Sequence, residues 1–249
     1  MIRCRMVAMA REEAMATAGY DYDKNIPPGF YDEIHQRKAG VRFSWHDLKF
    51  RAVADRLGGV GTVLDIGCGP GTFIGNYLDD ADCLGIDFSV PQIDYARRRY
   101  GTARHRFSTQ ALAGLGERFD AVTMIELLEH LPPVDARRLL AEARGLLSPQ
   151  GRLVVTTPNY RSLWPLIERG VNLVSRVSYE RQHVNKYDRA RLAGDLAGAG
   201  YREVTVATAV GIAPFAAMLG GWAVEWIDAA ERRVGHLGFG NLLIAVARP

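Results

Sequence analysis

Short runs of apolar residues alternate along this chain with longer stretches in which apolar residues recur every three or four positions. Apolar runs rich in Val, Ile and Leu are typical of buried parallel strands, and the three-to-four spacing is typical of amphipathic helices. The predicted strands cover residues 62–66, 82–87, 104–107, 119–125, 152–157, 202–208 and 241–247. The predicted helices cover residues 28–57, 71–79, 89–100, 133–147 and 188–200.

Capping patterns mark the starts of several of these helices. Ser89 followed by Gln92 resembles a capping box, in which two side chains satisfy backbone amides at a helix start. Ser44 with Asp47 three positions later gives the same pattern, and Asp188 is a candidate N-cap. Strands that alternate with helices predict an α/β fold, a Rossmann-like and mostly parallel sheet with helices on both faces.

The order of these elements predicts one domain preceded by a helical extension. We expect residues 1–57 to form the extension, with a poorly ordered start over residues 1–25, and residues 58–249 to form the domain. Residues 158–187 interrupt the alternation between the fifth strand and its helix. Because insertions at the carboxyl ends of strands line the ligand crevice, we expect substrate contacts in this segment.

Composition narrows the class of protein only modestly. The chain has 249 residues, 48% of them hydrophobic, and a net charge of +3, which fits one large soluble α/β domain and does not indicate nucleic-acid binding. Its three cysteines show no disulfide or metal-binding spacing, so we expect a reducing, cytoplasmic location. Residues 204–224 carry no charge, but their glycines and Pro214 favour a strand, a loop and a helix over a membrane span. Peripheral membrane contact by this segment stays open, as does the oligomeric state.

The first predicted strand ends in a glycine-rich loop, Asp-Ile-Gly-Cys-Gly-Pro-Gly, over residues 65–71. Glycine permits positive φ and lets a ligand approach the backbone, and a strand, glycine loop and helix in this order bind nucleotide-like ligands in α/β sheets. The spacing is G-x-G-x-G, whereas dinucleotide-binding loops have G-x-G-x-x-G. Asp87 closes the second strand 20 positions after Gly67, where a carboxylate can accept hydrogen bonds from ribose hydroxyls.

The pattern Asp65-x-Gly67-x-Gly69-x-Gly71 resembles the first motif of class I S-adenosylmethionine (SAM) dependent methyltransferases. The resemblance implies that SAM is the cofactor, that Asp87 binds its ribose, that Phe88 flanks its adenine and that the seventh strand is antiparallel. The cofactor-binding residues that it implies are Asp65, Gly67, Cys68, Gly69, Gly71, Thr72, Asp87, Phe88, Gln110, Ala111 and Glu126.

A cluster of polar residues, Glu126, Glu129 and His130, directly follows the fourth strand at the edge that carries the glycine loop. If residues 126–130 turn helically, Glu126 lies beside both of the others. Two adjacent carboxylates repel each other unless they share a proton or a cation, and with an imidazole they can hold a divalent cation.

This E-x-x-E-H stretch resembles the metal-binding motif of ubiquinone-biosynthesis O-methyltransferases and of small-RNA terminal 2′-O-methyltransferases, in which a later histidine completes the site. The resemblance implies an Mg²⁺ or Mn²⁺ site formed by Glu126, Glu129, His130 and His183. Two alternatives stay open. His130, with Glu129, is a catalytic base or orienting group in a metal-free site, or Glu129 merely caps the next helix.

The function that these observations favour is SAM-dependent methylation of a hydroxyl on a small aromatic, sugar or lipid-linked molecule. Three alternatives remain: an N- or C-methyltransferase with His130 as base, an RNA 2′-O-methyltransferase and a SAM-binding protein without turnover. The few lysines, the modest charge and the lack of an added RNA-binding domain disfavour the RNA enzyme. Candidate residues for a substrate lid are the aromatic residues Tyr22, Tyr31, Trp45, Tyr160, Trp164, Tyr179 and Tyr187.

Overall fold

A computed structural model describes residues 26–174 and 183–249 of the chain. The strands of these residues are β1 Thr62–Ile66, β2 Asp82–Ile86, β3 His105–Ser108, β4 Phe119–Ile125, β5 Leu147–Pro158, β6 Arg202–Ala209 and β7 Leu242–Arg248. They form one seven-stranded sheet in the order β3-β2-β1-β4-β5-β7-β6. β7 runs antiparallel to β5 and β6, and the other neighbouring strands are parallel. The Rossmann-like sheet and its antiparallel seventh strand are therefore confirmed.

Helices cover both faces of the sheet and form two separate hydrophobic cores. The helices of the described residues are α1 Phe30–Gln36, α2 Gly40–Leu57, α3 Thr72–Tyr77, α4 Val90–Tyr100, α5 Pro133–Gly145, α6 Trp164–Val174, α7 Arg189–Gly198 and α8 Gly221–Arg233. Residues of α5 and α7 pack on one face of the sheet with Leu64 of β1. Residues of α2, α3, α4 and α8 pack on the other face with Val63, as expected for a strand whose side chains alternate between faces.

The predicted helix over residues 28–57 is in fact two helices. Lys38 and Gly40 have positive φ, 50° and 87°, and break the chain between α1 and α2. The predicted cap at Ser44 is wrong, because α2 already begins at Gly40 and Ser44 is buried inside it. Asp47 accepts a hydrogen bond from the Tyr77 hydroxyl at 2.6 Å instead.

The other two predicted caps are confirmed. The side chain of Ser89 accepts a hydrogen bond from the backbone amide of Gln92 at 3.3 Å, and that of Asp188 accepts one from Arg191 at 2.9 Å. Both side chains satisfy an amide that has no carbonyl partner within the helix, so α4 and α7 begin where the sequence predicted.

The uncharged segment over residues 204–224 contains the end of β6, a 3₁₀ turn at Ala213–Met218 and the start of α8, as predicted. In the described parts of the chain, no helix is long and apolar enough to cross a membrane. Residues 1–25, for which poor order was expected, lie outside the described residues, and the domain division at residue 57 stays a prediction.

The sheet order places a ligand crevice at the carboxyl ends of β1 and β4. The connection from β1 leads outward to β2 on one side, whereas β4 and β5 extend the sheet on the other side. Ligands of open α/β sheets bind outside the carboxyl ends of the strands at such a switch point. The glycine loop after β1 and the polar cluster after β4 therefore face the same crevice.

Candidate active site

A cavity opens at this switch point, between the strand ends and the helices α1, α2 and α6. Its lining includes the glycine loop from Gly67 to Thr72 except Gly71, and side chains of both polar motifs. The acidic and imidazole side chains that line it are Asp65, Asp87, Glu126, Glu129, His130, His183 and His46. The structure thus brings most of the predicted cofactor-binding residues and all four predicted metal ligands to one cavity.

The glycine loop holds its backbone open toward the cavity. Gly67 and Gly69 have positive φ, 79° and 51°, which side-chain-bearing residues rarely adopt. A Cβ atom placed on Gly69 would meet no other heavy atom within 4 Å, so a ligand can approach the backbone there. Gly71 has a different role, because a Cβ atom on it would lie 2.7 Å from the Phe107 ring.

Asp87 closes the glycine loop from the end of β2. One carboxylate oxygen accepts a hydrogen bond from the amide of Gly69, and the other accepts one from the amide of Ser89, both at 3.0 Å. The side chain is buried but lines the cavity. Asp87 therefore fixes the loop against β2, and its predicted role in ribose binding would use the remaining lone pairs of the same oxygens.

Asp65 lies beneath the loop and is almost completely buried. It accepts a hydrogen bond of 2.6 Å from the Thr123 hydroxyl on β4. Burial raises the pKa of Asp65 to about 7, the Thr123 bond opposes this rise, and the nearby charge of Asp87 adds to it. A raised pKa means that folding favours the protonated acid and that its ionisation destabilises the folded state.

We expect the Asp65→Asn variant to be more stable than the wild type at neutral and alkaline pH. The pKa of Asp65 is higher in the folded state than in the unfolded state. Its contribution to the stability of the fold is therefore complete below the unfolded-state pKa of about 4 and is lost as pH rises through about 7. The stability advantage of the neutral amide should therefore increase between pH 5 and pH 8. Thermal unfolding at several pH values measures this difference, with Asp94→Asn, at a half-exposed acid, as control. An advantage that does not change with pH would contradict the burial of a titrating acid.

Glu129, His130 and His183 form a cluster with ligand geometry for a metal ion. One potential ligand atom from each residue lies within 4.8 Å of the others. The Glu129 side chain has no exposed surface, and neither of its oxygens has a hydrogen-bond partner among the described residues. Burial raises its pKa to about 7, nearby His183 opposes this rise, and the charge of Glu126 adds to it. A buried carboxylate without a partner needs either a proton or a cation, so the cluster fits a metal.

Glu126 does not join this cluster in the structure. Its φ is +49°, and its amide donates to the carbonyl oxygen of Thr156 at 3.0 Å and to the Thr156 hydroxyl at 3.1 Å. The predicted helical turn over residues 126–130 is therefore wrong, because the turn covers only Leu128–His130. The carboxylate of Glu126 instead contacts the ammonium group of Lys49 on α2.

Sequence analysis did not select Lys49 or its neighbour His46 as site residues. Lys49 is buried in the cavity wall, and its Nζ lies 3.2 Å from His46 Nδ1. Burial, and next the charge of Lys49, lower the pKa of His46 well below its usual value. The spacing of three positions on one helix was a signal that both side chains share a face, but the contact with Glu126, 77 positions away, had no local signal.

A second pair of residues holds His183 in place. His183 Nδ1 lies 2.7 Å from a Glu168 oxygen and 2.9 Å from the Tyr160 hydroxyl, and both His183 and Glu168 are buried. Burial acts to raise the pKa of Glu168, but its contacts with His183 and Tyr160 outweigh burial and lower it. A carboxylate that binds Nδ1 orients an imidazole so that Nε2 can serve as the metal ligand.

The predicted lid aromatics have different positions. Tyr31, Trp45 and Trp164 line the cavity, and the rings of the two tryptophans lie 5.2 Å apart. Tyr187 is a core residue whose hydroxyl contacts Asn185 and Asp195. Tyr22 and Tyr179 lie outside the described residues. The predicted lid aromatics that line the cavity thus come from α1, α2 and α6.

Four of the predicted cofactor-binding residues are not among the described residues that line the cavity: Gly71, Phe88, Gln110 and Ala111. Phe88 is half-buried, and Gln110 is exposed, with its side chain donating a hydrogen bond to the carbonyl oxygen of Gly114 at 2.8 Å. Ala111 follows it in the loop after β3. Their roles in binding the cofactor stay predictions.

Comparison with known sequences places these features in a family. A methyltransferase-domain family matches residues 33–206. The ubiquinone biosynthesis O-methyltransferase of Histophilus somni is 27% identical over 189 residues, which cover 71% of this chain and 73% of that protein. The enzyme of the same name from Alkalilimnicola ehrlichii is 35% identical over 121 residues, which cover 45% of this chain and 48% of that protein.

Solved structures show the same fold at low sequence identity. A SAM-dependent methyltransferase from Thermotoga maritima, described as a possible histamine N-methyltransferase, has a TM-score of 0.62 and 19% identity and covers 84% of this chain and 90% of its own. The magnesium protoporphyrin IX methyltransferase of Synechocystis, solved with bound SAH, has a TM-score of 0.54 and 16% identity and covers 100% of this chain and 99% of its own.

Proposed function

Since the chain belongs to the class I SAM-dependent methyltransferases, we propose that it transfers the SAM methyl group to a hydroxyl of a small molecule with the help of a divalent cation. The observation that carries this proposal is the Glu129 carboxylate, which is buried beside His130 and His183 in the cavity of the glycine loop and has no hydrogen-bond partner among the described residues. The relatives named as ubiquinone biosynthesis O-methyltransferases support an oxygen acceptor.

The ligand set of the proposed cation is Glu129, His130 and His183. Carboxylate and imidazole side chains bind divalent metals such as Mg²⁺ and Mn²⁺ in proteins, and a bound cation would compensate the charge that burial destabilises in Glu129. When bound, such a cation lowers the pKa of a coordinated acceptor hydroxyl. Glu126 would join the set only if it released Lys49, and Glu168 would keep His183 oriented.

The remaining cavity residues position the two substrates. The open backbone at Gly69 and the carboxylate of Asp87 accommodate the nucleoside of SAM, whose sulfonium carries the methyl group. Methyl transfer is an in-line displacement, so the protein contributes mainly the alignment of the acceptor and a deprotonated oxygen. Trp45 and Trp164 give the acceptor side an aromatic wall, which suits an aromatic or lipid-linked acceptor.

We expect turnover of SAM with catechol-type acceptors to be lost in EDTA and restored by Mg²⁺ or Mn²⁺. Removal of a cation that activates the hydroxyl should lower the rate by roughly 10²-fold or more, since such activation contributes several kcal/mol. Formation of SAH measures the rate, and calorimetric binding of SAM in EDTA serves as the control for an intact cofactor site. Full activity in the chelator would contradict the metal and leave His130 as the base. Turnover with amines but not with hydroxyl compounds would contradict the acceptor.

A further inference from the structure

A row of large apolar side chains between residues 212 and 226 is exposed. The side chains of this row, which we call the apolar face, are 41% to 87% exposed. They are Ile212, Phe215, Met218, Leu219, Trp222 and Trp226. Soluble proteins rarely expose a contiguous group of this kind unless it contacts a partner or a membrane.

The geometry of the chain makes these side chains neighbours. Phe215 and Met218 lie in the 3₁₀ turn Ala213–Met218, where side chains three positions apart eclipse each other. Trp222 and Trp226 lie one turn apart on α8. The 3₁₀ turn packs against both α8 and α2, so the Phe215–Met218 pair and the Trp222–Trp226 pair lie on adjoining elements.

The apolar face reaches the entrance of the cavity. Phe215 lines the cavity together with Trp45 of α2 and Trp164 of α6. Leu163 and Leu166, at the start of α6, are also more than half exposed. Apolar surface thus extends from α8 along the 3₁₀ turn to the cavity entrance and is found again on α6.

Most of the exposed charges beside the entrance are positive. The exposed acids on neighbouring elements include Glu33 on α1 and Glu225 on α8, and Glu225 pairs with Arg51. Residues 204–224 carry no charge, and between Glu33 and Asp47 the charged side chains are Arg37, Lys38 and Arg42, all exposed. In α6 and the preceding turn, Arg161 and Arg169 are exposed whereas Glu168 is buried against His183. Apolar side chains with a cationic border are complementary to a surface whose outer layer is negatively charged and whose interior is apolar, as in an anionic lipid bilayer. A second copy of the chain would instead bring two cationic borders together.

We propose that the apolar face docks the protein on an anionic lipid bilayer, with the cavity entrance toward the lipid. Trp222 and Trp226 suit this position because an indole ring has an apolar body and a polar N–H group, which favour the headgroup level of a membrane. If the proposed function holds, on which this step rests, a lipid-soluble acceptor reaches the cavity directly from the bilayer.

Vesicle co-sedimentation tests the docking without any use of turnover. The wild type is expected to bind vesicles of phosphatidylcholine with phosphatidylglycerol, and to bind less with phosphatidylcholine alone or at high salt. The double variant Trp222→Ser/Trp226→Ser should bind roughly tenfold less tightly, because two indole rings no longer leave water. Val134→Ser is the matched control, since Val134 is 65% exposed on α5 at the opposite face of the sheet. SAM affinity and thermal unfolding should be unchanged in both variants.

Two results would overturn the proposal. One is that the wild type binds neither kind of vesicle. The other is a dimer in analytical ultracentrifugation that the double variant abolishes, which would assign the apolar face to a second copy of the chain. Because SAM binding and turnover are measured separately, failure of the docking and failure of the proposed function give different outcomes.

Tryptophan fluorescence gives a second, position-specific readout. The chain has four tryptophans, and Trp45 and Trp164 line the cavity. Brominated lipids are expected to quench the wild type, and the quenching should largely disappear in Trp222→Phe/Trp226→Phe, which keeps an apolar face. Equal quenching in this variant would contradict the placement of α8 against the lipid.

Discussion

Replacement of Glu129 by glutamine is expected to lower methyl transfer by on the order of 10³-fold and yet to maintain or raise the midpoint of thermal unfolding. Glutamine has nearly the same shape as glutamate but no charge, so it removes a proposed metal ligand without leaving a cavity. Both oxygens of Glu129 are buried and have no hydrogen-bond partner among the described residues, so its charge destabilises the protein without a cation.

The sign of the stability effect follows from the pKa of Glu129, which burial raises to about 7. In a group whose pKa is higher in the folded state, the destabilisation by the charge grows as pH rises and is complete above that value. The Glu129→Gln variant should therefore gain most over the wild type, in metal-free buffer, above pH 7. Added Mn²⁺ should stabilise the wild type but not the variant.

Turnover and thermal unfolding of the same samples distinguish a functional role of Glu129 from a structural one. Glu117→Gln is the control, because that carboxylate pairs with Arg106 at the surface. A purely structural Glu129 would give a lower unfolding temperature together with the loss of activity. Unchanged turnover in Glu129→Gln would show that this carboxylate is not part of the reaction.

Replacement of Asp87 by alanine is expected to weaken SAM binding by about 1–3 kcal/mol, which is roughly 5- to 150-fold in affinity. The change removes the predicted acceptor of the ribose hydroxyls. It also removes the two bonds of 3.0 Å that hold the amides of Gly69 and Ser89, so the glycine loop loses its attachment to β2. Both losses weaken the binding of SAM.

Isothermal titration calorimetry with SAH measures this loss. Asp94→Ala is the matched control, because Asp94 is a half-exposed acid on the following helix that pairs only loosely with Arg97 at 3.4 Å. A falling unfolding temperature with unchanged affinity would show that Asp87 fixes the loop but does not bind the ribose. Unchanged values of both quantities would contradict the assignment altogether.

Local sequence signals were sufficient for the sheet and for the conformation of the glycine loop. β4 is apolar at every position except Asp120 and Thr123, as expected for a parallel strand whose two faces are both covered by helices. The glycines at positions 67 and 69 have positive φ, which the loop requires. The caps at Ser89 and Asp188 also depend only on residues three positions away.

The parts of the site that were not predictable depend on contacts between distant residues. The Lys49–Glu126 contact joins α2 to the end of β4. The Glu168–His183 contact joins α6 to a residue 15 positions later in the chain. The positive φ of Glu126 is unusual for a residue with a side chain, and no sequence rule indicates it. The pattern of acids and histidines therefore identified the cluster, but it did not identify which of them pair.

The exposure of the apolar face was also not predictable from the sequence, for a different reason. The sequence shows an uncharged segment over residues 204–224, and apolar residues at helical spacing are compatible with both a core and an exposed surface. In the structure, Ala223 and Val224 are buried whereas Trp222 and Trp226 are exposed. The larger side chains thus lie on the outside of α8, the reverse of what hydrophobicity alone predicts.

Binding of Mn²⁺ to metal-free protein in the presence of SAH tests the proposed metal site most directly. Calorimetric titration of the wild type should show one saturable site per chain, and both Glu129→Gln and His183→Ala should remove it while SAH affinity is maintained. Absence of Mn²⁺ and Mg²⁺ binding to the wild type at millimolar concentrations would contradict a metal held by Glu129, His130 and His183.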